Sequence, residues 1–438
     1  MKLPFVVVLL GLWGFASGAW AWSNHTVGSY LALQDVAALR DAPELTVEPL
    51  EQFLGQEHAG LVTLLREQET FARRHFPDYP PRPDNLALTD APAADLRRAF
   101  LMALRVNPQI HLALMFQPMP GQDQPQRAHL KPQEVMVEQT ISPWSTQRFI
   151  SLAAGDKVAP LAVLATAADE PDYGHDINLF SDNPGEAGAL YGFGVQSFGD
   201  ERFEYSSQAP FHIGFFHESA VVYAGAPFLQ RSWPDWRAYQ YLDLARFAFA
   251  TGHPYWGYRF LGWGLHYVQD LTQPYHATPL PGADLASMLL MEGKALAGFD
   301  ADKNAAIERV ATRHIEVEKY QAAWLEQVLR AKVALPMLAA YADAAQDATY
   351  PPYTERYLRD VVSAESNAQA AAFDQAIGQW LAVSGGVGDF SQGNDLKREN
   401  YQHEPLNSQL VGLLRHMGAH SRNFVKAGTA AAQDAQLD

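Results

Sequence analysis

A helical spacing closed by a proline constrains this chain more than any other feature. His266 and Asp270 stand four residues apart, so on a helix both side chains leave the same face. Pro274 stops such a helix and lets His276 swing back towards the pair. Imidazole and carboxylate both suit zinc, and the two oxygens of Asp270 allow it to bridge two ions. An amphipathic helix with an ordinary core histidine satisfies the same spacing, so the pair gains meaning only if other ligands exist.

Composition narrows where those ligands come from. The chain has no cysteine, which removes disulfides and thiolate sites and leaves His, Asp, Glu and backbone to hold any metal. A formal charge of −17 argues against nucleic-acid binding through a broad basic face. With 438 residues, 48% of them hydrophobic, the chain is long enough to bury a core without a partner. Its beginning reads as a secretory signal peptide over 1–21: Lys2, an apolar run from Phe5 to Trp13, and the small-x-small site Ala19-Trp20-Ala21. Cleavage after Ala21 leaves Trp22 first; a rival cut after Ala19 leaves Trp20. The apolar run is too short to span a bilayer and nothing later supplies a span, so a secreted or periplasmic protein is expected.

Helical periodicity dominates the rest. Apolar residues recur at helical intervals over 57–75, 95–107, 235–251, 303–330, 354–383 and 407–426. Strand-like alternation is sparse, which predicts an all-α fold, a single multi-helix domain over 22–438 with long loops. Three glycines, Gly257, Gly262 and Gly264, lie just ahead of His266; they weaken an isolated helix and point to close packing against a neighbour or ion. A polar loop is expected between His276 and the long helix at 303. Acidic residues crowd a Pro/Gly-punctuated turn, Asp169-Glu170-Pro171-Asp172-Tyr173-Gly174-His175-Asp176, and two histidines, His212 and His217, stand among aromatics. His314 and Glu318 form a second pair one turn apart.

Together these pieces resemble the zinc-dependent phospholipases C and the related single-strand-specific zinc nucleases. The segment from His266 through Tyr267, Asp270 and Pro274 to His276 matches that family's His-Tyr-x-x-Asp-x-x-x-Pro-x-His signature. The resemblance implies an α-helical fold and three zinc ions. Carried over residue by residue, the α-amino nitrogen and carbonyl oxygen of Trp22, with His25 and one oxygen of Asp270, would hold one ion. Asp172, His217, His266 and the other Asp270 oxygen would hold the second, and His276, His314 and Glu318 the third. His217 is taken here over His212, with His175 a weaker candidate, and Asp172 over its neighbours Asp169 and Asp176. Residues from about 41 to 165 form an insertion relative to smaller relatives.

The resemblance implies phosphodiester hydrolysis by zinc-activated water, with Asp172 orienting or deprotonating it. Tyr173 is expected to offer an aromatic face to a quaternary ammonium head group, as in choline-preferring phospholipases. The expected substrate is therefore a glycerophospholipid, met through transient contact with a membrane surface. Tyr267 and Glu318 lean the same way, whereas the Thr-Gln-Pro run before Tyr275 and Gln269 itself lean towards a single-strand nuclease or 3′-nucleotidase. A secreted zinc-binding protein without catalysis is the alternative outside enzymes.

Overall fold

The computed structural model describes residues 22, 24–76, 78–120, 126–137, 148–199, 204–332, 335–387 and 403–434. The expected signal peptide and the alternative terminus Trp20 lie outside them. The fold is predominantly helical, as the periodicity predicts. The helices that position the site or its surroundings are α1 (His25–Leu33), α2 (His58–His75), α3 (Leu96–Leu104), α4 (Pro160–Ala167), α5 (Pro234–Ala250), α6 (Pro254–Asp270), α7 (Pro274–Ala277), α8 (Leu285–Leu296), α9 (Ala301–Ala331), α10 (Ala364–Ser384) and α11 (Glu404–Asp434). Among the described residues, five short strands, β1 (Leu45–Thr46), β2 (Met115–Phe116), β3 (His129–Leu130), β4 (Phe149–Ser151) and β5 (Lys157–Val158), make two small antiparallel sheets, β1-β5 and β2-β4-β3.

α6 is the axis of the core. Every residue from Tyr255 to Asp270 is buried, which a helix tolerates only when neighbours cover it on all sides. α5 packs along it, α4 and α11 cover further faces, and α1 meets its last turn through His25 and Ser29, which bond to Gln269. Its glycines explain how they come so near. A Cβ placed on Gly262 would meet Ala167 Cβ and the Leu164 carbonyl oxygen at 2.5 Å, and one on Gly264 would meet the Phe424 ring at 2.7 Å. The helix therefore forms because its partners require it, against its own propensity.

Local signals set the boundaries. Asp95 caps α3 by accepting the Arg98 amide, and Gly252, with φ at +84°, ends α5 before Pro254 opens α6. α6 ends at Asp270, well ahead of Pro274, which instead opens the short α7. The helix predicted from 354 begins with a π-helical turn, Leu358–Ser363, that runs into α10. The segment read as an insertion, about 41–165, shares the central core: Phe53, Leu61, Phe100 and Leu104 lie in the same buried cluster as Trp256 and Phe260.

The region expected as a polar loop between His276 and α9 instead contains α8, capped by Asp284, whose carboxylate accepts the Ser287 amide at 2.7 Å. Its apolar residues are largely left in solvent, with Leu289 and Leu290 exposed. Among the described residues, no helix is long and apolar enough to cross a membrane.

Candidate metal centre

The C-terminal turn of α6 carries His266 and Asp270 as the spacing requires, both fully buried. Gly262, one turn earlier, lets α4 approach closely, and this brings the Ala168 carbonyl to His266. The His266 Nδ1–H donates to that carbonyl at 2.8 Å, so in the neutral ring Nε2 presents a bare lone pair towards Asp270 Oδ2, 3.3 Å away. α1 supplies His25 from the opposite side. Its Nδ1 meets Gln269 Oε1 at 2.9 Å, while the Gln269 amide nitrogen donates to the hydroxyls of Ser29 and Ser421. His25 Nε2 then faces Asp270 Oδ1 at 3.3 Å. The two oxygens of one carboxylate thus serve two imidazoles.

The acidic turn at 169–176 divides its carboxylates among separate tasks. Asp169 accepts from the Thr26 amide and hydroxyl and from Gln117, pinning the start of α1. Glu170 pairs with Arg259, and Asp176 with Arg237 and the Tyr267 hydroxyl. Asp172 is the carboxylate of this turn that faces His25, His212 and His266 together. Its Oδ1 lies 3.7 Å from His266 Nε2 and from His212 Nδ1, and its Oδ2 lies 3.9 Å from His25 Nε2.

The histidine that completes this group is His212, which corrects the choice of His217. His212 Nδ1 stands 2.9 Å from both His266 Nε2 and Asp270 Oδ2, while its Nε2 faces Asp176 Oδ2 at 3.5 Å. His217 is exposed and its Nε2 donates to the Arg359 carbonyl. The cause is the backbone. The short helix Ala209–His212 ends at the centre, Ile213 turns into an extended conformation, and the chain has left by residue 217. Aromatic neighbours surround both histidines in sequence, so that context carries no signal separating them.

A third group lies beyond α6. His276 on α7 donates Nδ1–H to the His212 carbonyl at 2.8 Å, leaving Nε2 3.1 Å from His314 Nε2, which in turn lies 2.6 Å from Glu318 Oε1. Within each of three sets, the donor atoms lie within 4.8 Å of one another: His25, His266 and Asp270; Asp172, His212 and His266; His276, His314 and Glu318.

No protein-family model, curated protein or solved structure matches this chain. The centre stands on its own chemistry. Donors around a tetrahedral zinc at ordinary bond lengths are about 3.3 Å apart. The separations of Asp172 Oδ1 from His212 Nδ1 and His266 Nε2, and those among His212 Nδ1, His266 Nε2 and Asp270 Oδ2, range from 2.9 to 3.7 Å and fall around that edge. His25 Nε2 and both oxygens of Asp270 are buried with no hydrogen bond of acceptable geometry, an arrangement that is costly unless protonated imidazoles or a metal ion neutralise the carboxylate. The nearby buried arginines cannot serve, since Arg237 is committed to Asp176 and Arg259 to Glu170. The residues fit metal ions.

Three further placements bear on the expectations. Trp22 is buried, and its indole N–H donates to Thr272 Oγ1 at 2.9 Å, which ties it to the turn directly after Asp270. Tyr173 does not present its ring to a substrate, which corrects its expected role. Successive side chains on the tight Glu170–Tyr173 turn diverge, so Asp172 faces the histidines while Tyr173 packs edge-on against Phe149 and its hydroxyl accepts from Gln117 at 2.7 Å. His175 is also buried away from the donors, edge-on to Trp263, and burial lowers its pKa to about 3. The supporting residues Gln269, Asp176 and Arg237 carry no sequence signal of that role, because each acts through a partner far away in the chain.

Proposed function

We propose that the protein is an exported zinc-dependent phospholipase C that hydrolyses the phosphodiester of glycerophospholipids. The observation that carries this reading is Asp270, a buried carboxylate shared between His25 on one side and His212 and His266 on the other, with no well-formed hydrogen bond to either oxygen. Zinc ions held by such sets would stabilise charge on phosphate oxygens and acidify a water. Trp22, His25 and Asp270 would hold one ion, Asp172, His212, His266 and Asp270 a second, and His276, His314 and Glu318 a third.

The chain's own part is positioning and proton transfer. Asp172 keeps Oδ1 on the His212 and His266 side, where Gln208 also donates to it at 3.3 Å, while Oδ2 has no hydrogen-bond partner. That second oxygen is the acceptor for a proton leaving the attacking water. The carbonyls of Ala168 and His212 and the Gln269 amide fix three imidazoles in one tautomer, the hydrogen-bonded support that histidine ligands commonly have on the nitrogen turned away from a metal. A net charge of −17 favours a zwitterionic lipid over a polyanionic strand.

The test offers the mature protein phosphatidylcholine and single-stranded DNA in parallel, with and without a chelator, alongside a zinc count. Chelator-sensitive release of a phosphorylated head group is the expected result. Cleavage of DNA alone would move the protein to the nucleases, and bound zinc with neither activity would leave a metal-binding protein.

A further inference from the structure

Helices α8 and α9 form an antiparallel hairpin whose apolar side is exposed among the described residues. Gly298, with φ at +87°, makes the turn between them. Leu285 is 41% exposed, Leu289 47%, Leu290 61%, Phe299 72% and Ile307 45%. Two ion pairs fix the register, Glu292 with Lys303 at 2.8 Å and Lys294 with Asp302 at 2.6 Å. From the Glu292–Lys303 rung, three residues back on α8 reaches Leu289 and four forward on α9 reaches Ile307. These displacements run the same way along the hairpin, about 4.5 and 6 Å, so the two side chains stand nearly level. Leu285 follows one turn beyond Leu289 on the same face, and Phe299 sits at the tip.

The patch is joined to the metal centre. Ile307 and His314 are seven residues, two helical turns, apart on α9, which places them on the same side of the helix at an axial distance of about 10 Å. On its other side Met288 packs against the cluster of Phe215, Val222 and Leu229, on the segment that leaves His212. The hairpin charges in the two ion pairs neutralise one another, and the chain as a whole carries −17, which repels an anionic surface.

We infer that the α8–α9 hairpin is the surface by which the protein seats on a zwitterionic lipid–water interface, with Leu290 and Phe299 entering the acyl boundary and His276, His314 and Glu318 held at head-group depth. Exposed leucine and phenylalanine supply the attraction, the paired charges of Glu292 with Lys303 and Lys294 with Asp302 cost little at a zwitterionic surface, and the net charge of −17 separates this contact from electrostatic docking on anionic lipid. The inference rests on the phospholipase reading for its purpose, but the contact is measurable without catalysis.

Zinc-supplied full-length mature protein and its Leu290→Glu and Phe299→Glu variants are compared in flotation with phosphatidylcholine vesicles. Hydrolysis of a dispersed, monomeric short-chain phosphatidylcholine is followed in parallel. Both positions are exposed, so the fold is retained. Each variant is expected to bind vesicles about tenfold more weakly, from the transfer energy of one large apolar side chain, with hydrolysis of monomeric substrate unchanged. Vesicle binding equal to wild type in both variants overturns the inference. So does a wild-type dimer that ignores vesicles and becomes monomeric on Leu290→Glu, which would make the patch a contact between copies. Vesicle binding that depends on the patch without hydrolysis of any phosphatidylcholine upholds the docking surface and removes the phospholipase reading.

Discussion

Around Asp270 the histidines lie among carboxylates, whereas His276 and His314 meet Glu318 beside an exposed hairpin, and the two settings drive imidazole in opposite directions. Burial opposes charge on His25, but the adjoining carboxylate of Asp270, with Asp172 behind it, pushes its pKa up to about 9. For His212 burial is likewise outweighed by Asp176 and Asp270, which push it up to about 10. At the other end burial prevails, taking His276 down to about 3 and His314 down to about 4. Without metal, His25 and His212 at the Asp270 end both hold protons, whereas burial keeps the His276 ring neutral and a single proton is shared across the 2.6 Å contact of His314 with Glu318. Metal must displace more protons at the first end than at the second.

The largest effect should come from the shared carboxylate. Asp270→Asn is expected to abolish metal binding by the sets that meet at Asp270 while the ion held by His276, His314 and Glu318 stays. On the proposed function, phosphodiester hydrolysis should fall by more than about a hundredfold, since loss of a ligand exceeds the usual cost of losing its support. Elemental analysis checks the first statement, and uniform loss of all metal would break the distinction between the two ends. His212→Ala should lose metal from the Asp270 end alone, whereas His217→Ala should leave metal content unchanged and stability within about 0.5 kcal/mol of wild type.

Gly262→Val tests whether helix packing builds the first end. The new side chain would collide with Leu164 and Ala167, so unfolding in denaturant should show a loss of about 2 kcal/mol. Displacement of Ala168 from His266 should also weaken metal at the Asp270 end before the other. A further test is the pH dependence of metal-free protein. His25 and His212, raised above their ordinary 6.5, contribute stability that is present below that pH and lost as pH rises through 9 to 10. His276 and His314 stay neutral in the fold while the unfolded chain takes up protons, so stability also falls as pH drops from 6.5 towards 4 and 3. Thermal melts of apoprotein should peak near neutrality, and a monotonic profile would show that the two ends do not differ in this way.

Local chemistry is legible in the sequence by itself. The all-α fold follows from apolar residues recurring at helical intervals, and His266, Asp270, His314 and Glu318 are readable because helical spacing puts ligands on one face without reference to the rest of the chain, while His276 is read from the helix-breaking proline ahead of it. Gly262 is readable as a point of close approach for the same reason. α8 escapes such a reading because its apolar face is not buried, so polar flanks and exposed leucines give it the look of a loop. Tertiary structure alone decides the rest. Asp172 is separable from Asp169, Glu170 and Asp176 only once Thr26, Arg259 and Arg237 have taken the other three carboxylates, and His212 from His217 only by the direction in which the backbone leaves a four-residue helix. Spacing along one helix is fixed by covalent geometry, but the facing of side chains on turns depends on partners that in some cases are distant in the chain, and no local pattern encodes those.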